Sequence, residues 1–246
     1  LLSDRPATVA GTFTSNSIKS PSVTVSRERI QKDTSIGLVA NSGCANCSVG
    51  DQGYKDAIEM TNLAAAHVGV RSEDLFVAST GMIGVELPMA LVRQNITNVG
   101  LSEDGGSDFA KSIMTTDSKH KERAVSFVQD GNTITVGGAA KGVGMIHPNM
   151  ATMLCFITTD ANINKIYLQS ILTNAVSKSF NMIDVDGDQS TNDTVLIFAN
   201  SAAEAPEIKE GSDASESFVE AVEYVCIELA KELVRDGEGA QRLIEV

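Results

Sequence analysis

Between Lys141 and Met153 the chain reads KGVGMIHPNMATM, and the apolar run MLCFIT follows at once. A glycine-rich bend that delivers Thr152 to the mouth of a buried strand suits a nucleophile. A threonine hydroxyl is too weak to attack a carbonyl unaided and needs a base, and no histidine–acid pair is evident nearby. Scission before Thr152 would supply one. The hydroxyl attacks the carbonyl of Ala151, the acyl group shifts from nitrogen to oxygen, and water releases the ester. Thr152 is left with a free α-amine of pKa near ~8, able to take the hydroxyl proton. By periodicity alone Thr152 reads as an ordinary strand-opening threonine, so the assignment needs support from elsewhere in the chain.

Other reactive types carry less. Cys44 and Cys47 form a CxxC, but no second CxxC exists and His67, His120 and His147 lack ligand spacing, so a zinc site is not expected. Small buried residues in a tight turn are the simpler reading. Asp184, Asp186 and Asp188 hint at calcium. Counted from Asp184, however, glycine falls fourth and Val195 twelfth, where a calcium loop wants glycine sixth and glutamate twelfth. GxG in KGVGM lacks the rest of a phosphate loop. His147 lies five residues before Thr152 and is set aside as a base. No metal and no cofactor are expected.

The elements that must position these residues read as a mixture. ATVAGTFT, PSVTVS and SIGLVA look like short strands before Ala40. Asp51–Val68 has helical apolar spacing, with Gly69 as its stop, and Leu75–Ala78 is a short strand ending in an STG turn. Helices are expected from Pro88 to about Asn98 and over Asp108–Met114. A hairpin turns at Asp130-Gly131-Asn132. Further on come a strand over Thr152–Thr158, a helix over Asn164–Asn181 and a strand over Thr194–Ala199. An exposed polar linker follows over Ser201–Ser217, then a helix over Phe218–Arg235 and a strand beginning at Leu243. This order implies an α+β fold.

At 246 residues, 42% hydrophobic and 21% charged, the chain has an ordinary globular composition. Its net charge of −13 argues against nucleic-acid or anionic-membrane partners, which require basic patches. No apolar stretch is long enough to span a bilayer. Four cysteines are too few and too scattered for a disulfide framework. The expected location is the cytoplasm, or the mitochondrial matrix in a eukaryote.

KGVGMIHPNMATML resembles the self-cleavage segment of the ornithine acetyltransferase (glutamate N-acetyltransferase) family. Further blocks agree in order: VAGTFTSN from Val9, NSGCAN from Asn41, STGMIG from Ser79, IMTTD from Ile113, VDGDQSTNDT from Val185 and VRDGEGA from Val234. The resemblance spans nearly the whole chain and implies a four-layer αββα sandwich like that of N-terminal nucleophile hydrolases. It implies Thr152 as acetyl-accepting nucleophile after cleavage at Ala151–Thr152, and Thr80 with Gly81 as oxyanion hole. Thr115, Lys141, Thr152 and Glu238 are implied to hold the amino-acid substrate. Chemically, Lys141 suits a carboxylate and Glu238 an amine, while Thr115 could add a neutral hydrogen bond, with Thr116 left open beside it. The implied reaction moves acetyl from N-acetylornithine to glutamate, with acetyl-CoA as a further donor in some relatives. The two cleaved chains would stay associated, as a heterotetramer of two α and two β. Residues 1–236 would form the acyltransferase domain, with 237–246 starting a C-terminal part. Two alternatives remain open: an aminopeptidase or amidase of the same fold, and an inactive binding fragment.

Overall fold

The computed structural model describes residues 1–148 and 153–245. Its strands are β1 (Leu2–Phe13), β2 (Thr34–Cys44), β3 (Leu75–Met82), β4 (Lys121–Gln129), β5 (Asn132–Lys141), β6 (Leu154–Thr159) and β7 (Thr194–Ala199). Its helices are α1 (Pro21–Arg29), α2 (Gln52–Val68), α3 (Met89–Asn95), α4 (Gly106–Ser112), α5 (Lys165–Ser177) and α6 (Asp213–Arg235). The strands form one seven-stranded sheet in the order β3-β2-β1-β7-β6-β5-β4. β2 pairs with β3, and β6 with β7, in parallel; the other pairings are antiparallel.

The sheet is folded over on itself. With strands about 4.8 Å apart, β3 and β7 would lie about 14 Å apart in a flat sheet. Instead the rings of Phe76 (β3) and Phe198 (β7) meet edge to face at 5.9 Å. They belong to an inner core of Val9, Leu38, Phe76, Leu154, Phe156 and Phe198. Alternate residues of the same strands face outward. Cys155, Ile157, Val195 and Ile197 pack under α5 and α6, and Val77 packs against Ala57 and Met60 of α2 and Val25 of α1. The layers are therefore α1–α2, the β2–β3 wing, the β7–β4 wing and α5–α6, an αββα sandwich. β1 serves both wings: Leu2 packs beside Ala64 and Ala65 of α2, whereas Ala10 joins the core under α5 and α6. Its pairing with β2 shifts register between Leu2 and Ala7.

Local signals explain most elements. Gly69 ends α2 in the left-handed region at φ 74°. Asp130 and Gly131, both at positive φ, form the two-residue turn that matches strand twist. Asn164 caps α5 by accepting the Tyr167 N–H. Four expectations need correction. PSVTVS is not a strand but the start of α1. Ser20 Oγ accepts the Ser22 N–H and Pro21 fills the first turn, while Val23 and Val25 bury against the sheet, so capping and packing override β-branched propensity. STG does not turn but continues β3, paired residue for residue with β2. The polar run 201–217 is not wholly exposed, since Ala205 and Ile208 are buried and Ile208 bridges Ile163. No strand forms over Leu243–Glu245. Among the described residues no helix is long and apolar enough to cross a membrane.

Candidate active site

The site gathers at one end of the folded sheet. Thr80 and Gly81 sit at the end of β3, in register with Ser42 and Gly43 of β2. Here the two backbones approach so closely that a Cβ on Gly81, whose φ is +127°, would lie 2.2 Å from the Gly43 carbonyl carbon. Only glycine fits there. Lys141 is the last residue of β5, in register with Leu154 at the start of β6. The sheet thus brings Lys141 to the strand end that follows the Ala151–Thr152 bond. Ala151 and Thr152 themselves lie outside the described residues.

Lys141 is 3% exposed. Its ammonium donates to Thr80 Oγ1 at 3.1 Å and to Thr115 Oγ1 at 2.9 Å, with Asp117 Oδ2 at 4.0 Å. Burial pulls its pKa below the ordinary lysine value, and the negative charge of Asp117 opposes that pull. Asp117 is the hub of the surrounding loops. It accepts from Lys121 Nζ at 2.7 Å, Gly142 N–H at 2.8 Å and Thr115 N–H at 3.1 Å. Burial works to raise its pKa, but these donors outweigh burial and hold the carboxyl below its usual range. Lys121, its side chain fully buried, also reaches Asp236 at 2.7 Å, just past the end of α6.

Glu238 follows on that same exit. Its backbone N–H donates to Val143 O at 2.6 Å, and Oε1 accepts from Thr116 Oγ1 at 2.5 Å. A Cβ on Gly144 would lie 3.0 Å from the Glu238 carboxyl carbon, so the glycine lets that carboxylate sit close against the loop. The two adjacent threonines divide the work: Thr115 meets Lys141 and Thr116 meets Glu238. The structure therefore brings together Thr80, Thr115, Lys141 and Glu238, and adds Thr116 to the set.

Sequence reading missed Asp117, Lys121, Asp236 and Asp193. Asp117 stands in IMTTD, four positions before Lys121, and Asp236 in VRDGEGA, but the contact of Lys121 with Asp236 joins positions far apart in the chain. Asp193 Oδ1 accepts the Met153 N–H at 3.1 Å, the amide that follows Thr152. Burial pushes this carboxyl up to about 8. Its Oδ2 makes no hydrogen bond of ordinary geometry among the described residues, although the Ser190 and Thr14 side chains are near enough to oppose the upward shift. A folded-state pKa above the unfolded ~4 means that the folded chain binds more protons, so stability falls as pH rises from about 4 toward 8. Urea midpoints of Asp193→Asn are expected to vary less between pH 5 and 8 than those of wild type.

The remaining candidates stay outside the cluster. His147 pairs with Asp184 at 3.5 Å with both half-exposed. Cys47 is buried and Cys44 half-buried, both as free thiols. Asp186 accepts backbone N–H groups from Met145, Ile146 and Asp188, as a carboxylate in a tight connection does. Among the described residues no cluster of three or more potential ligands could hold a metal.

An αββα sandwich with a buried polar cluster at the strand ends has the architecture of the N-terminal nucleophile hydrolases. The l-aminopeptidase d-ala-esterase/amidase of Ochrobactrum anthropi, described as a variant of the ntn hydrolase fold, matches 96% of this chain and 75% of its own with a TM-score of 0.52. At 12% identity this likeness concerns the fold alone. The ArgJ family model matches residues 1–246, and the chain belongs to the ArgJ family. It is 50% identical to the arginine biosynthesis bifunctional protein ArgJ of Symbiobacterium thermophilum, covering all of this chain and 62% of that protein. It is 48% identical to the glutamate N-acetyltransferase of Methanocaldococcus jannaschii, covering all of this chain and 61% of that one. The crystal structure of ArgJ from Bacillus halodurans matches 61% of this chain and 80% of its own at 34% identity, TM-score 0.57. An ornithine acetyltransferase complexed with ornithine, from Mycobacterium tuberculosis, matches 59% and 77% at 29% identity, TM-score 0.50. The chain thus spans somewhat over half the length of these curated relatives.

Proposed function

We propose that the protein transfers an acetyl group from N-acetylornithine to glutamate through an acetyl-Thr152 intermediate, after cutting itself between Ala151 and Thr152. The observation that carries this reading is the convergence of the Thr80 and Thr115 hydroxyls on the Lys141 ammonium, beside Leu154 at the start of the strand that follows that bond in the chain. The glutamate N-acetyltransferase and ornithine acetyltransferase names of the relatives support it.

In this scheme the Thr152 α-amine takes the hydroxyl proton as Oγ attacks the acetyl carbonyl. Thr80 Oγ–H and Gly81 N–H stabilise the oxyanion, where one donor is worth about 3 kcal/mol. Ornithine leaves with the proton returned by the α-ammonium. The amine of glutamate then attacks the ester, forming N-acetylglutamate and restoring the Thr152 hydroxyl. Lys141 holds the substrate carboxylate. Glu238 offers the substrate amine its Oε2, which has no protein partner among the described residues. Thr115 adds a neutral bond. Acetyl-CoA as a second donor, and a heterotetramer of two α and two β chains, are the finer parts of the proposal.

Intact-mass analysis of freshly purified protein tests the cleavage, with fragments 1–151 and 152–246 expected. Labelled N-acetylornithine with glutamate tests the transfer, with N-acetylglutamate as the expected product. Acetate released without acetylated glutamate would mark a hydrolase instead, and an uncut, inactive chain would overturn the proposal.

A further inference from the structure

Lys141 contacts a second functional group besides the one a substrate carboxylate would meet. A threonine hydroxyl has one proton to give and two lone pairs to accept with, whereas an ammonium has only protons to give. The 3.1 Å contact between Lys141 Nζ and Thr80 Oγ1 therefore occupies a Thr80 lone pair and leaves the hydroxyl proton unspent. Thr80 is 2% exposed, and no described residue accepts that proton. A buried donor without a ground-state partner is costly and is what an oxyanion hole requires.

We infer that Lys141 is a positioning residue of the oxyanion hole: its ammonium fixes the Thr80 hydroxyl as a donor and frees its proton for the acyl oxygen. The inference rests on the acyl-transfer reading proposed above and adds a role to Lys141 beyond holding a carboxylate. The ammonium is itself held by Thr115 Oγ1 at 2.9 Å and Asp117 at 4.0 Å, so its own direction is fixed. A cationic donor also polarises the hydroxyl that it bonds, strengthening the outgoing hydrogen bond. Without it, no described residue fixes the rotation of the Thr80 hydroxyl, and the hole loses its alignment.

The two roles separate kinetically. Loss of carboxylate binding raises KM, while loss of a transition-state donor lowers kcat. The experiment is a double-mutant cycle on acetyl transfer from N-acetylornithine to glutamate, with Lys141→Met, Thr80→Val and both together. Thr80→Val is expected to lower kcat about 10²-fold or more. Lys141→Met should raise KM and also lower kcat at least about tenfold. The double variant should have a kcat close to that of Thr80→Val alone, because Lys141 acts through the missing hydroxyl. Thr80→Ser, which keeps the hydroxyl, should retain most activity. If Lys141→Met does not fold by its denaturation midpoint, Lys141→Gln, which keeps an N–H donor without the charge, takes its place in the cycle, with a smaller loss of kcat expected. A change in KM alone, or kcat losses that multiply in the double variant, would overturn the inference while leaving the transferase reading intact. A wild type that forms no N-acetylglutamate would overturn that reading and this inference with it.

Discussion

Thr152→Ala is expected to leave a single polypeptide of 25.9 kDa and to lose at least about 10⁴-fold in acetyl transfer, a loss of the size seen when a covalent nucleophile is removed. Alanine has no oxygen to attack the Ala151 carbonyl, so no new N-terminus forms. The variant then lacks both attacker and base at once, and the two losses act as one. Thr152→Ser keeps the oxygen and is expected to cut and to turn over. Mass spectrometry reads the first effect, and formation of N-acetylglutamate under single-turnover conditions reads the second. Cleavage of the alanine variant at the same bond would remove Thr152 as the nucleophile.

Lys121→Met is expected to cost about 3–5 kcal/mol of stability, the range for breaking a buried ion pair by removing one partner. Of a typical 5–15 kcal/mol total, that is a large share. Lys121 Nζ is fully buried and bonds Asp117 Oδ1, Asp236 Oδ2 and the Lys119 carbonyl at 2.7, 2.7 and 3.2 Å. Methionine fills a similar volume but leaves two carboxylates without their shared cation. Both carboxyls are held below their ordinary range: burial works to raise them, and Lys121 with the surrounding N–H donors outweighs it. Their contribution is therefore present above the unfolded carboxylate pKa and is lost as pH falls through the folded values. In urea unfolding near neutral pH the midpoint should drop at unchanged slope. Adding Asp117→Asn to Lys121→Met should cost less than the sum of the two single changes. A loss below about 1 kcal/mol would contradict the buried pairing. Because Asp117 also orders Thr115 and Gly142, the same variant should weaken substrate binding.

The sequence carried most of the elements, and the reasons are local. Gly69 stops α2, Asp130-Gly131 turns a hairpin, and the apolar run of Thr194–Ala199 is a strand buried along its whole length. PSVTVS misled because β-branched residues favour strands only when no cap competes. Ser20 and Pro21 set the helix, and buried bonds from Ser22 to Ser79 and from Ser26 to Val77 keep it against β3. The STG segment misled in the opposite way: turn-forming types remain extended there because β2 pairs with them.

The site divides along the same line. Thr80, Gly81, Thr115, Lys141 and Glu238 are nominated by the resemblance of contiguous blocks to a family, because residue types and spacing alone do not single them out. Which side chains meet was decided by the folded-over sheet. It carries the end of β3 to the end of β5, hands Thr115 to Lys141 and Thr116 to Glu238, and buries Asp117, Lys121 and Asp236 as one ionic group. Lys121 and Asp236 are 115 positions apart in the chain. A contact of that span is fixed by packing across layers, where burial makes an unpaired charge prohibitive, and no local pattern records it.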